Sequence, residues 1–283
     1  MSEILFTTRS RRGRSRPRLA IRVLAALLIA AGALALVDAG VTLLWQEPFS
    51  ALLATFKQDH LSTALQKVER AAPTPPERRV LASLSDEQAR ISFLAGVLQR
   101  QAREGSAVGR IVIPSLGVDF VVVKGTATED LQSGPGIYPE TSFPGVPGTT
   151  AIAGHRTTYL APFRHIDELR SGTRIVLEMP YARLTYTVVG QRVVAPTDVG
   201  AAVDRVGYTR LVLSACTPLF SAAKRILVYA RLAQTVPAGA ARLLPGGAVP
   251  RSIESPPRQP PEALRPLPAV FKSFQTHILP PFS

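Results

Sequence analysis

Residues 211–232 read LVLSACTPLFSAAKRILVYARL. Two apolar runs rich in Val, Ile and Leu, LVLSAC and RILVYARL, flank the stretch TPLFSAAK. Short runs of this kind bounded by Pro and Ser are strand signals. The intervening stretch is long enough for the chain to return antiparallel. Such a hairpin sets the start of its second strand beside the end of its first, so it predicts Arg225 next to Cys216. Cys216 is the only cysteine in 283 residues.

The same pattern extends outward over residues 106–235. RIVIP, VDFVVVKG, GTTAIAGH, TRIVLEMP and RLTYTVVGQRVV are further short runs rich in Val, Ile, Thr and Tyr, punctuated by Gly, Pro, Asp and Ser. Seven or eight strands at this spacing predict a barrel or a sandwich, a mainly β domain. Helical insertions are expected at ATEDLQ and in APFRHIDELRSG. There is no internal repeat and no Gly-rich phosphate loop.

The flanks differ in character. Residues 46–105 carry apolar residues at helical spacing, broken by the three prolines of APTPPERR, and read as a helical stalk or linker. Ser85 or Asp86 is the expected cap of its second helical stretch, with Gly105 closing it. From 236 to 283 the chain holds 11 of its 25 prolines, including PPRQPP, and reads as an extended or disordered tail.

Residues 1–22 form a basic segment with seven Arg and one Glu, a large part of the net charge of +13. Val23–Trp45 follows, an apolar run with one charge, Asp38. About 20 apolar residues in a helix cross the hydrocarbon core of a bilayer. Arginines on one side place the N-terminus in the cytoplasm and the bulk of the chain outside. The run is long for a signal peptide and no clean small-x-small site follows it. The expectation is a single-pass cell-membrane anchor, uncleaved. A basic arm joined to such a span fits topology and anionic lipid contact better than nucleic-acid binding.

Outside the membrane, thiols tend to be oxidised into pairs. A solitary cysteine is then a buried inert side chain, an intermolecular crosslink or a reactive thiol. A cysteine nucleophile needs a histidine brought close by folding. The chain has four. His60 falls in the stalk, His277 in the tail and His165 in a helical insertion. His155 ends the run TTAIAGH as Cys216 ends LVLSAC, so neighbouring strands would turn both toward one groove. Arg225 carries five fixed donors beside that thiol, suited to an oxyanion. Read blandly, it is a strand-edge charge in solvent. Glu129, Asp130, Glu140, Asp167 and Glu168 are scattered, so no metal site is expected.

GTTAIAGHRTTYLAPFRHIDELRSGTRI together with LVLSACTPLFSAAKRILVYARL resembles the sortases, the surface transpeptidases of Gram-positive bacteria. AGHRTTY followed by APF, with CTPLFSA, is most similar to the actinobacterial class E members. The resemblance covers about 106–235. It implies a closed eight-stranded β-barrel with short helices, and His155, Cys216 and Arg225 as catalytic residues. It implies cleavage of an LPXTG- or LAXTG-like signal between Thr and Gly through a Cys thioacyl intermediate, without cofactor. The acyl group would pass to a peptidoglycan or pilin amine, so the partners are secreted proteins bearing C-terminal sorting signals. Tyr159, Thr217 and Ser221 are candidate substrate contacts. Family members usually have Thr just before the cysteine. Here it is Ala215, and a missing groove hydroxyl would weaken substrate positioning. The competing classes are an extracellular cysteine peptidase that releases its acyl group to water, and a catalytically weak anchored scaffold.

Overall fold

The computed structural model describes residues 16–44, 48–198, 200–204 and 206–242. It divides into two units at Glu47/Pro48.

The first unit contains α1 (Arg16–Leu44). Its stretch Ala20–Gly40 has a mean hydropathy of 2.5 and none of it is buried. By length and composition this one helix is able to cross a membrane. Trp45 and most of the basic segment lie outside the described residues.

The second unit is built on a closed barrel with strand order β1-β2-β3-β4-β7-β8-β6-β5. The strands are β1 (Ala107–Ile113), β2 (Val118–Lys124), β3 (Gly136–Ile137), β4 (Thr149–Ala153), β5 (Arg174–Met179), β6 (Ala182–Val194), β7 (Arg210–Thr217) and β8 (Lys224–Pro237). Seven of them coincide with the expected runs; β3, two residues long, is additional. Alternation along β7 sends Leu211, Leu213 and Ala215 into the barrel core and Val212 into a second apolar layer on the outside. The insertion expected as a helix at ATEDLQ forms one turn, α5 (Thr128–Leu131). The one in APFRHIDELRSG is only a 3-10 turn, Ile166–Glu168.

The segment expected to be a stalk is helical, but it lies against the barrel. Gln58 of α2 (Pro48–Arg70) donates through Nε2 to Val121 O at 3.2 Å and Ser133 O at 2.6 Å, and its Oε1 accepts from Val121 N at 2.8 Å. It completes the hydrogen bonding of β2 where no neighbouring strand does. Leu65, fully buried, packs on Ala107 and Val121. The proline-bearing interruption is shorter than expected, because Pro75 and Pro76 sit in the first turn of α3 (Pro75–Ser83), where a missing N–H costs nothing. Asp86 caps α4 (Glu87–Gln101) by accepting from Ala89 N at 2.7 Å, and Ile91 and Ala95 enter the barrel core.

The expected tail begins later than residue 236. Strand β8 continues to Pro237, and Ala241 is fully buried in the main core. Arg90, 1% exposed, donates to Leu81 O at 3.1 Å and to Ala240 O at 2.9 Å. Residues from 243 onward, with PPRQPP, lie outside the described residues. A chain ending at Pro237 leaves Arg90 Nη2 buried without its acceptor, which costs about 1–3 kcal/mol. It should therefore melt roughly 2–10 °C below a chain ending at Arg242, by calorimetry. Equal melting temperatures would show that Ala241 and Ala240 add nothing to the fold.

Candidate active site

Strands β4 and β7 run parallel, with Ala153 opposite Ser214, and Gly154 N donates to Ser214 O at 3.0 Å. Two residues beyond that pair the chain reaches His155 on one side and Cys216 on the other. Side chains alternate, so both leave the sheet on the same face as Ala153 and Ser214. They line one cavity of ≈ 320 Å³ with Arg156, Phe220 and Ser221. A second cavity of ≈ 300 Å³, lined by Val68, Leu94, Leu98, Tyr181 and others, has neither thiol nor imidazole in its walls.

The loop after β4 explains the motif AGH…APF. A Cβ on Gly154 would lie 2.5 Å from the Phe163 ring, so only glycine lets that ring pack there. Phe163 is 1% exposed, and its amide donates to His155 O at 2.9 Å. The loop thus folds back and fixes the backbone of His155. Between them Tyr159, Leu160 and Ala161 all have positive φ, at 51°, 63° and 42°. Left-handed non-glycine residues cost on the order of 1 kcal/mol or more each, and such strain persists only where packing over-determines it. The turn brings the Tyr159 ring to 5.2 Å from that of His155, tilted by 43°. Burial pushes the His155 pKa below its ordinary value. Its Nε2 is buried and has no hydrogen-bond partner.

Cys216 is half-buried and unpaired. Arg225 of β8 stands directly opposite it in the antiparallel register, and residues so placed share a face. The Arg225 guanidinium folds toward the β7–β8 turn, where Nη1 donates to Ala222 O of the loop at 3.0 Å and to Lys224 O at the start of β8 at 3.2 Å. Its Nε and Nη2 make no hydrogen bond among the described residues. Thus His155 and Cys216 share the cavity, and Arg225 adjoins it through the register rather than through its observed side-chain contacts.

The weaker candidates divide. Ser221 lines the cavity, and its hydroxyl accepts from Ala223 N at 3.2 Å. Thr217 Oγ1 accepts from Arg156 Nη1 at 3.2 Å. Tyr159 contacts the imidazole. His165 is exposed and pairs with Glu168, and His60 is exposed on α2. Sequence reading missed Arg156, which is 4% exposed and bonded to both the cysteine strand and its own loop. Its only signal was adjacency to His155.

Ala215 does not face the cavity. It is 3% exposed, opposite Ile226, inside the barrel core. The expectation that a hydroxyl is missing from the groove is corrected: with a period of two, the residue before a groove-facing cysteine points inward. Ala215→Thr should destabilise by about 1–3 kcal/mol through overpacking, read as a lower urea midpoint, with KM for a peptide substrate within twofold. A raised turnover at unchanged stability would return the position to the groove.

A sortase domain model matches residues 111–233. Sortase D of Bacillus subtilis is 30% identical over 130 residues, 45% of this chain and 64% of that one. The chain thus spans just under two thirds of that relative. Sortase A of Streptococcus agalactiae is 22% identical over 209 residues, 71% of this chain and 82% of that one. The solved sortase E of Streptomyces avermitilis is 34% identical, with 48% of this chain and 93% of that chain covered and a TM-score of 0.43.

Proposed function

We propose that this chain is a sortase-family cysteine transpeptidase, anchored in a membrane and acting on extracellular sorting signals. The observation that carries the reading is the shared cavity of His155 and Cys216 at the ends of a parallel strand pair, with Arg225 across from the thiol.

The Cys216 thiolate attacks the carbonyl carbon of the Thr–Gly bond in a signal similar to LPXTG or LAXTG. The carbonyl π electrons move onto oxygen, and Arg225 stabilises the oxyanion. Collapse breaks the C–N bond, and the departing amine takes a proton from the His155 imidazolium. A second amine, from peptidoglycan or a pilin lysine, attacks the thioester and gives its proton to His155. The thiolate leaves, and a new amide has formed with no net consumption of protons. Burial lowers the His155 pKa, so the imidazolium is a minority form at neutral pH. The pair ready to react is correspondingly scarce. Arg9 to Arg22 hold the N-terminus in the cytoplasm, α1 crosses the bilayer, and the barrel works outside.

Mass spectrometry of the enzyme with an LAXTG-type peptide and triglycine tests the chemistry. The expected products are a thioester on Cys216 and a peptide extended by triglycine at Thr. Peptide acid alone would make the protein a cysteine peptidase. No adduct with any sorting-type peptide, from folded protein, would leave an anchored scaffold. For topology, an N-terminal tag on intact cells should resist external protease and a C-terminal tag should not; a protected C-terminal tag reverses the orientation.

A further inference from the structure

We propose that Arg156 is a positioning residue that holds the nucleophile strand and the histidine loop in register. The inference rests on the transpeptidase reading above and assigns a role within that same site.

The side chain is 3% exposed, and a guanidinium is always charged. Its five N–H groups meet five acceptor contacts. Nε donates to Arg164 O at 3.1 Å, and Nη2 to Arg164 O at 2.9 Å and to Asp167 Oδ1 at 2.6 Å. Nη1 donates to Thr217 Oγ1 at 3.2 Å and makes a long contact with Cys216 O at 3.5 Å. Arginine has five donors, so none is left for a developing oxyanion. Arg156 lines the cavity without the means to act on substrate there, whereas Arg225 still has Nε and Nη2 to offer. That division separates a positioning arginine from a catalytic one.

What Arg156 joins is specific. One end of the planar fork grips the carbonyl of Arg164 and the carboxylate of Asp167, both in the loop that returns to His155. The other end grips the residues at the close of β7, Cys216 and Thr217. The β4–β7 ladder ends at Ala153 and Ser214, with one further bond from Gly154. Beyond it no strand pairing sets His155 against Cys216. Arg156 supplies the cross-link at that level, and Asp167 offsets its buried charge. Thr217, expected to contact substrate, instead accepts from this fork; its own O–H remains able to donate.

A misplacement of about 1 Å between reacting groups costs on the order of 100-fold in rate. Arg156→Ala removes five bonds at once and risks the fold, so the test uses milder changes in the full chain. Thr217→Val removes the acceptor at nearly constant shape, Thr217→Ser restores it, and Arg156→Lys keeps the charge but not the fork. Peptide exchange with triglycine is measured beside melting temperature and iodoacetamide labelling of Cys216, which is unambiguous in a chain with one cysteine.

Thr217→Val should lower kcat about 10-fold and Arg156→Lys about 100-fold. KM should stay within twofold, and labelling and melting should be close to wild type. Thr217→Ser should recover most of the rate. Wild-type kcat in both Thr217→Val and Arg156→Lys overturns the proposal. So does a fall that tracks lost melting temperature or labelling, since the role would then be structural only. A serine variant as slow as valine also counts against it. Wild-type protein that forms no exchange product overturns the transpeptidase reading itself, which this control arm reports separately.

Discussion

Cys216→Ala should form no covalent adduct with a sorting-type peptide and give no exchange product, while melting like wild type. The side chain is half-buried at a strand end, so losing its sulfur opens little interior space. There is no second thiol to take over. The informative contrast is His155→Ala. Its thiol should still react with iodoacetamide, because a small alkylating agent needs no proton for its leaving group. Peptide exchange should fall about 100- to 10,000-fold, the range for a positioned acid–base group. Burial of His155 Nε2 without a partner fits a ring that meets its proton donor or acceptor only when substrate is bound. Residual exchange in Cys216→Ala, or wild-type exchange in His155→Ala, would remove these side chains from the chemistry.

The hairpin at 211–232 was legible because its signals are local. Val, Ile and Leu mark β7 and β8, Pro218 and Ser221 mark the break between them, and the return of the hairpin sets Arg225 opposite Cys216. The pairing of β4 with β7 is not local. Sequence offered only two runs that end alike, in His155 and Cys216, and left their adjacency to the fold. Strand β3 escaped because two residues, Gly136 and Ile137, carry no period. The docking of α2 escaped for a different reason. An amphipathic stripe announces that a helix needs a partner, but Gln58 and Leu65 do not reveal which surface it is. Arg156 was illegible because an arginine in a loop reads as a solvent charge; only the tertiary structure shows its five donors engaged. Ala215 shows the opposite case. Its inward direction follows from alternation alone, once Cys216 is taken to face the groove.

Arg225→Ala should slow formation of the thioester roughly 100- to 1,000-fold, the scale of losing one oxyanion donor. In an antiparallel pair, opposed residues share a face with Cα atoms about 5 Å apart. A tetrahedral oxygen on a carbon bonded to the Cys216 sulfur therefore forms within reach of the arginine stem. In the observed conformation Nη1 is held by Ala222 O in the β7–β8 loop and by Lys224 O at the start of β8. Nε and Nη2, which make no hydrogen bond among the described residues, meet an anion only when charge appears, which makes the interaction stronger in the transition state than in the ground state. KM should consequently change little while the acylation rate falls. Arg225→Lys should recover little, because a compact ammonium cannot brace the loop carbonyl and the oxyanion with one planar fork. The measurement is the pre-steady-state rate of thioester formation, followed by quenched-flow mass spectrometry, with iodoacetamide labelling to verify the thiol. A lysine variant as fast as wild type would mean that charge alone suffices. An alanine variant within about tenfold of wild type would give Arg225 the plainer task of bracing the loop between β7 and β8.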